Sequence, residues 1–316
     1  MSDSRVLMQR DNSSGIARIT LANPERRNAY DPAMRRQIGA HLEELAYDDD
    51  VKVVLLRGEG GVFSAGADMN NAYSWYGDGT PSDGSTNGTT VSDSGDSSGT
   101  SNGSDRARPA RRRPSQRRRL LVDRQTFDFY HFFLGYPKAT VAEVSGLALG
   151  GGFELALMAD IAVVASDARL GMPATRFLGP ALGSLQMFFH RLGPVLTRRL
   201  LLTGDIVEAS QLEYLGVFTE VVDPDSVEER ATWWAEKVSR MPADGIVMAK
   251  EAFRLVEQLQ DYQGEEVLNY LFHAYGTNLS FEEGEFNFVK VRAQHGTSKA
   301  FELRDAHFEI PEPPER

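Results

Sequence analysis

The sequence of 316 residues contains no cysteine. This absence excludes a disulfide framework, a thiolate-bound zinc or iron–sulfur site, and a cysteine nucleophile. Histidine is also scarce, with six residues that form neither an HExxH pattern nor a close cluster. Because zinc sites built on histidine need such groupings, we expect no metal site in this protein.

Long apolar runs are missing too. The amino-terminal segment MSDSRVLMQRDNSSG lacks the apolar core that is typical of a secretory leader. The longest apolar stretch, residues 141–165, is interrupted by Glu143, Glu154 and Asp160, so it is poorly suited to span a membrane. We therefore expect a cytoplasmic protein without a membrane partner.

Positive charge is in deficit, with 34 Lys and Arg against 45 Asp and Glu and a formal net charge of −11. Such a balance argues against a general polyanion-binding surface, so we do not expect nucleic acid as a partner. The hydrophobic fraction of 41% is that of an ordinary globular chain. The length allows one large domain with an appendage, or two domains.

One segment departs from this composition. Apart from Pro81 and Val91, residues 77–105 are all Gly, Ser, Thr, Asp or Asn, and residues 106–119 carry eight arginines and no acid. Since this segment has no apolar face to bury, it predicts a flexible insertion over 77–119. Its arginines could dock on the acidic surface, bind an anionic ligand or contact RNA. No aromatic residues are interleaved for base stacking, and we interpret the run as a solvated insertion.

The rest of the chain alternates strand and helix patterns. Apolar residues at helical spacing predict helices over 31–47 and 152–158, and β-branched apolar runs predict strands at 15–21, 51–56, 139–144 and 161–165. This alternation is typical of an α/β fold with parallel sheets covered by helices.

Strand signals nearly stop after residue 209. Helical patterns follow at 227–241, 245–258 and 264–275. We therefore expect a core over 1–206, interrupted by the insertion, and a mainly helical carboxy-terminal region over 207–316.

Two glycine-containing turns stand out, FSAGAD at residues 63–68 and GLALGGGFE at 146–154. Glycine lets a backbone approach a ligand closely, and amides at the start of a helix point outward as hydrogen-bond donors. The alternative for each turn is a structural role in close packing. Neither turn matches the GxGxxG or GxxxxGK[ST] nucleotide-binding pattern.

These turns and their surroundings resemble the enoyl-CoA hydratase/isomerase (crotonase) family. The resemblance rests on FSAGAD and on SGLALGGGFELALMADIAVVASDARLGMP at residues 145–173, and NPERRNAY at 23–30 is similar to the family's CoA-contacting segment. Further matches lie at 191–193, 200–204 and 247–250. The resemblance spans nearly the whole chain apart from the insertion and the two ends.

The resemblance implies a crotonase (ClpP-like) spiral of β-β-α turns and a carboxy-terminal helical region used for trimerisation, in a homotrimer or a dimer of trimers. It also implies an acyl-CoA thioester substrate, with CoA as part of the substrate and no separate cofactor. By motif position, the backbone amides of Ala67 and Gly151 would stabilise the enolate oxygen of the thioester.

The resemblance also suggests where CoA lies. Its adenine end is expected against the backbone from Ala65 through Asp68 to Met69, with the pantetheine near Ala29. Arg27, together with its neighbour Arg26, is a candidate for the phosphates; solvated surface arginines are the alternative.

Glu154 is our candidate for proton transfer, since it matches one of the two catalytic glutamates of the hydratases. A carboxylate in an apolar site has its pKa moved upward, which suits an acid or base near neutral pH. The alternative is a carboxylate that stabilises the start of a helix.

The sequence departs from the hydratase pattern at Ala174, where the second glutamate normally follows the proline. Alanine cannot move a proton, so one carboxylate is left, which is sufficient for double-bond isomerisation through an enolate. Substitutes considered are His131, Asp68 and Asp160, for which packing or structural roles are the alternatives. Arg176 and its neighbour Thr175 could recognise a polar acyl group. The aromatic residues 73, 75 and 76 could line an acyl pocket.

Two classes of function follow. The first is an acyl-CoA enzyme of the crotonase type, with isomerisation, hydration and thioester or carbon–carbon hydrolysis as its candidate reactions. The second is a non-catalytic or RNA-associated member of the same fold. Retention of Glu154 and of both glycine turns favours catalysis, because a scaffold has no chemical need for an acid there.

Overall fold

Strands form two sheets in the part of the chain that the structure describes. The computed structural model describes residues 5–69, 115–178, 183–262, 273, 281 and 284–309. The strands are β1 (Val6–Asp11), β2 (Ile16–Leu21), β3 (Val53–Gly58), β4 (Ala139–Val144), β5 (Leu147–Leu149), β6 (Ile161–Ala165), β7 (Arg169–Gly171), β8 (Ile206–Glu208) and β9 (Glu220–Val222).

The larger sheet has six strands in the order β1-β2-β3-β4-β6-β9. The pair β1 and β2 is antiparallel, and every other neighbouring pair is parallel. In register, Ile16 pairs with Val53 and Val53 with Ala139. All six residues of β4 are buried, as expected for a central parallel strand.

The smaller sheet consists of β5, β7 and β8. Two isolated parallel bridges, between Tyr30 and Ala67 and between Ser64 and Ala148, prolong it toward the amino-terminal turns. Each turn of the chain therefore contributes a strand to the larger sheet, a short extended segment to the smaller one, and then a helix. This is the repeat that the β-β-α spiral requires.

Helices connect and cover the sheets. They are α1 (Pro32–Ala46), α2 (Gln116–Leu134), α3 (Gly151–Met158), α4 (Thr175–Leu178), α5 (Leu185–Thr203), α6 (Val227–Ser239), α7 (Ala243–Glu257), α8 (Phe288–His295) and α9 (Thr297–Phe308). Single turns of 3₁₀ helix lie at Pro24–Arg26, Glu59–Gly61 and Pro224–Ser226, a longer 3₁₀ segment at Ala209–Leu215, and a π-helical turn at Gln258–Tyr262.

Helix α1 shows how the sequence sets these elements. Asp31 caps it, because a carboxylate oxygen accepts hydrogen bonds from the amides of residues 33 and 34, and Pro32 suits the first helical position. Its buried side chains recur every three or four residues, so one face of the helix packs on the core: Met34, Arg35, Ile38, Leu42 and Leu45. One of them is a cation.

The sequence-based elements are largely confirmed, and further elements were missed. The predicted strands and helices before residue 166 correspond to β2, α1, β3, β4, α3 and β6, and those after residue 226 to α6 and α7. The elements that were not predicted are β1, β9, the short strands of the smaller sheet, α4, α5, α8 and α9. The predicted helix at 264–275 lies outside the described residues apart from His273.

The predicted segment boundaries need correction. A boundary between residues 206 and 207 falls inside β8, and β9 beyond it pairs with β6, so chain after residue 206 completes both sheets. Residues 116–119, which we assigned to the insertion, form the first turn of α2, because Ser115 accepts a hydrogen bond from the amide of Arg118 and caps the helix. Residues 77–114 lie outside the described residues.

Candidate active site

The first glycine turn follows β3 and lies against the start of α3. The Ser64 hydroxyl accepts a hydrogen bond from the Gly66 amide and donates to the carbonyl of Asn28, which fixes the turn. Gly66 has φ +82°, and a Cβ atom there would lie 2.9 Å from the amide nitrogen of Gly151. Glycine is thus required for both its conformation and its close approach to the second turn.

Each glycine of the second turn has its own reason. Gly150 precedes α3 with φ 55°, ψ −127°, a conformation that L side chains rarely adopt. A Cβ atom at Gly151 would collide with the hydroxyls of Tyr30 and Tyr130, and one at Gly152 with the backbone of Ser64. The run of three glycines is therefore explained by the backbone conformation of Gly150 and by the close contacts of Gly151 and Gly152.

The amides of Ala67 and Gly151 lie on these two neighbouring turns. Around Ala67 the Tyr30 backbone bonds to the residues on either side, since its amide donates to the carbonyl of Gly66 and its carbonyl accepts from the amide of Asp68. Gly151 is the first residue of α3, where amides have no acceptor within the helix. No backbone acceptor for either amide is recorded among the described residues. Their role as a pair of donors stays a prediction.

Glu154 lies in the first turn of α3 and is 3% exposed. One of its carboxylate oxygens accepts a hydrogen bond from the amide of Gly183. A hydrogen bond from a backbone amide fixes the direction of a buried carboxylate, so this side chain is held in place rather than left to solvent.

Sequence reasoning missed a pair of tyrosines beside Glu154. The hydroxyl oxygens of Tyr30 and Tyr130 lie 2.7 Å apart. Burial raises the pKa of both phenols, and the charge of Glu154 raises the pKa of each further. Both hydroxyls therefore stay protonated near neutral pH. Their sequence signal was weak, because both residues lie in segments that also suit ordinary packing.

The residues expected to contact CoA lie in or beside the first glycine turn. Arg27 is exposed with φ 52°, and its carbonyl accepts a hydrogen bond from the amide of Ala65. Ala29 is buried nearby. Asp68 is buried and forms an ion pair with Arg26 at 2.9 Å, so Asp68 orders this turn. Binding of CoA here stays a prediction.

Ala174 packs against apolar side chains of the carboxy-terminal helices. Met69 and Ala174 both pack against a cluster formed by Phe288 of α8 and Ala300 of α9. The Met69 carbonyl also accepts a hydrogen bond from Arg292 at 2.5 Å. The carboxy-terminal helices therefore cover the position where the hydratase pattern has its second glutamate.

Arg176 does not lie ready to bind an acyl group. Its guanidinium donates to the carbonyl of Thr203 at 2.8 Å and lies near carboxylates of Asp205 and Asp305. The Thr175 hydroxyl donates to the carbonyl of residue 172. Both side chains are thus used in local contacts, which removes the support for the recognition hypothesis.

The other residues that the sequence offered for the site are Asp160, His131 and three aromatic residues. Asp160 accepts hydrogen bonds from Thr140 and pairs with Lys250 at 2.6 Å. His131 is buried on α2. The aromatic residues 73, 75 and 76 lie outside the described residues. Within the described ranges there is no group of three or more His, Asp and Glu residues suited to a metal ion.

The order of these motifs along the chain agrees with a known family. The family model for enoyl-CoA hydratase/isomerase matches residues 11–87 and 101–298. The chain belongs to the enoyl-CoA hydratase/isomerase family. Among the helices of the described part, none is long and apolar enough to cross a membrane.

Individual relatives agree with this assignment. A probable enoyl-CoA hydratase of Mycobacterium bovis is 28% identical over 95% of this chain and 100% of its own length. The 2,3-dehydroadipyl-CoA hydratase of Escherichia coli is 28% identical over 87% of this chain and 92% of its own. The crystal structure of an enoyl-CoA hydratase/isomerase from Xanthobacter autotrophicus is 27% identical, with a TM-score of 0.75 and coverage of 97% and 99%. The crotonase fold expected from the sequence is confirmed.

Proposed function

We propose that this family member acts on an acyl-CoA thioester with the amides of Ala67 and Gly151 as the oxyanion hole and Glu154 as the acid and base. The observation that carries the proposal is the approach of the two glycine turns beside a buried, hydrogen-bonded carboxylate. The amides supply donors where negative charge develops, and Glu154 supplies the group that exchanges a proton.

The reaction that this arrangement supports is enolate formation. Glu154 removes a proton from a carbon near the thioester, and the electron pair moves onto the carbonyl oxygen between the two amides. The same carboxylic acid then returns the proton to another carbon, which shifts the double bond. Proton and charge balance without a second acid or a further cofactor, and CoA enters as part of the substrate.

The packing of Ala174 on apolar side chains favours isomerisation over hydration. Water addition is usually drawn with two carboxylates holding the water, and here Met69 and Phe288 occupy the neighbourhood of the second position. Hydration is the second candidate, because the relatives from Mycobacterium bovis and Escherichia coli are described as hydratases. Hydration would require another group to hold the water.

A proton-exchange assay in heavy water tests the proposal. Saturated and unsaturated acyl-CoAs of several chain lengths are incubated with the full-length protein, and mass spectrometry follows deuterium uptake and the gain of water. We expect deuterium or a shifted double bond without water gain. Water gain favours the second candidate. If no acyl-CoA shows deuterium uptake, a shifted double bond or a gain of water, although acyl-CoA still binds, the proposal is contradicted. Hydrolysis of another thioester or a non-catalytic role is then favoured.

The assembly is proposed to be a homotrimer or a dimer of trimers. Helix α7 carries exposed apolar side chains that a subunit contact would cover: Val247, Met248, Phe253, Leu255 and Val256. Sedimentation equilibrium of the purified protein tests this, and a monomer at micromolar concentration would contradict it.

A further inference from the structure

Three polar side chains behind Gly151 have no role in the proposed reaction. They are Tyr30 from the segment before α1, Arg35 from α1 and Tyr130 from α2. Arg35 is only 7% exposed, and it donates a hydrogen bond to the hydroxyl of Tyr130, which in turn lies 2.7 Å from that of Tyr30. A buried guanidinium is costly unless hydrogen bonds and a nearby negative charge stabilise it.

Tyr130 contacts both backbone positions on which the candidate site depends. Its hydroxyl lies against Gly151, where a Cβ atom would collide with it. Its ring lies against Gly183, where a Cβ atom would be 2.7 Å from Cγ of the ring. The amide of Gly183 is the donor to Glu154. One side chain thus supports the residue of the proposed oxyanion amide and the residue that holds the proposed base.

The charges around the hydroxyl pair have opposite signs. After burial, which is the largest cause, the carboxylate of Glu154 raises the pKa of Tyr130, and the guanidinium of Arg35 lowers it. The same two charges act on the pKa of Tyr30 in the same directions. Glu154 and Arg35 therefore both lie near the hydroxyl pair, on which their charges act in opposite directions.

We infer that Tyr130 and Arg35 are positioning residues for Glu154 and Gly151, an inference that rests on the function proposed for those two residues. Tyr130 fixes the two backbone segments by contact. Arg35 favours the ionised carboxylate, which is the form that removes a proton. The hydroxyl and the ring of Tyr130 contact Gly151 and Gly183, so we assign it a role through these two neighbours.

Other titratable groups lie on the elements packed against α3. His131 lies on α2, Glu143 on β4 lies beside Arg57 at 3.4 Å, and His190 and Arg191 lie on α5. The strand β5 carries none. These groups are shared by the wild type and the variants, so a difference between them reports on the altered residue.

The test is an infrared titration of the Glu154 carboxyl. Its band is identified as the difference between wild type and Glu154→Gln, and its midpoint pH is followed in the full-length protein without ligand. In Arg35→Met we expect the midpoint to rise by about one pH unit, because a stabilising positive charge is lost. Arg35→Lys should restore most of the wild-type value. An unchanged midpoint in folded Arg35→Met would overturn the role of Arg35.

Tyr130→Phe tests the positioning role when a charge variant fails to fold. Its matched control is Tyr136→Phe, since Tyr136 is equally buried but its hydroxyl donates to the carbonyl of Leu42, away from Glu154. The turnover of an acyl-CoA substrate, or the midpoint pH of the infrared band when no substrate is known, should differ from wild type in Tyr130→Phe. Neither quantity should change in the control. We expect kcat to fall about tenfold with KM changed less than about twofold. Equal behaviour of the two variants would overturn the role of Tyr130.

The proposed function and the positioning role of Tyr130 and Arg35 can be contradicted independently. If Glu154→Gln keeps full turnover while Arg35→Met still moves the titration, the proposed function is wrong and the positioning of the carboxylate stands. If Glu154→Gln is inactive while neither variant affects the titration or kcat, the proposed function stands and this inference is wrong.

Discussion

Glu154 and Ala174 occupy the two positions at which the hydratase pattern has its carboxylates, and their contacts differ. Glu154 accepts a hydrogen bond from a backbone amide and lies close enough to two phenols for its charge to raise their pKa values. Ala174 packs on Phe288 and Ala300 of the carboxy-terminal helices. At residue 154 a buried carboxylate is bonded to a backbone amide, and at residue 174 a small side chain packs on apolar ones.

The contacts of Ala174 agree with the absence of a carboxylate at this position. An ionised carboxylate at residue 174 would need donors, and the cation two residues further, Arg176, is already held by Thr203 and lies near Asp205 and Asp305. A buried charge without partners is destabilising. The proposed site therefore has one carboxylate at these two positions, and Ala174 packs on apolar side chains.

The largest expected effect comes from removing the remaining carboxylate. Glu154→Gln keeps the size of the side chain and removes its ability to take a proton, so we expect kcat to fall by about a hundredfold to ten-thousandfold. Acyl-CoA binding, measured by calorimetry, should be largely kept. Glu143→Gln is the control, because Glu143 is also buried and lies on β4 beside Arg57. Equal losses in both variants would remove Glu154 from the mechanism.

The next effect comes from filling the space behind the oxyanion residue. Gly151→Ala places a methyl group against the hydroxyls of Tyr30 and Tyr130, so we expect about a hundredfold loss of kcat and a lower melting temperature. Gly39→Ala is the control. Nothing lies within 4 Å of a Cβ atom there, and alanine favours the helix. A variant at 151 as active as this control would contradict the close packing of the site.

Restoring an acid on the apolar side sharpens the comparison. Ala174→Glu should raise the ratio of water addition to proton exchange by about tenfold, since a second group can then hold the water. It should also lower stability, because the new carboxylate lies near Met69 and Phe288. Ala174→Gln has nearly the same shape and cannot transfer a proton. Product ratios by mass spectrometry that rise equally in both variants would contradict this explanation.

The smallest effect is expected at Asp31, the residue that caps α1, which is the helix that contains Arg35. Burial raises the pKa of Asp31, but hydrogen bonds from Met34, Arg5 and Ala33 outweigh it and leave the pKa below its usual value. Its stabilising effect is therefore present above about pH 3.9, the unfolded value, and is lost as pH falls through the folded pKa.

Asp31→Ala should lower the free energy of unfolding by about 1 kcal/mol at neutral pH, and by less in acid. Denaturant titrations at two pH values measure this. Asp31→Asn keeps a capping acceptor and should retain most of the stability without the dependence on pH. A loss in Asp31→Ala that is the same at both pH values would contradict the charge of Asp31 as its source.

The sequence was sufficient for the elements with strong local patterns. Periodicity predicted α1 and the buried strands, whereas the grouping of Ala67, Gly151 and Glu154 into one site, expected from the motifs, stays a prediction. The sequence did not predict the three-residue strands β5, β7, β8 and β9, because such short segments carry no readable alternation and depend on partners distant in the chain.

The sequence did not predict several parts of the site for the same reason. Tyr30 and Tyr130 are 100 residues apart, and only the fold brings their hydroxyls together. Arg35 lies on the buried face of α1, where helical periodicity alone predicts an apolar residue. Ala174 was recognised as a departure from the pattern, but its apolar neighbours come from α8 and α9, far along the chain. Long-range contacts, rather than composition, decide these positions.

A crystal structure with bound butyryl-CoA, which has no double bond to hydrate, tests the central claim most directly. The account predicts the thioester oxygen within about 3 Å of the amide nitrogens of both Ala67 and Gly151, with the carboxylate of Glu154 facing the adjacent carbon. A thioester oxygen that contacts neither amide, or an adjacent carbon out of reach of Glu154, would contradict it.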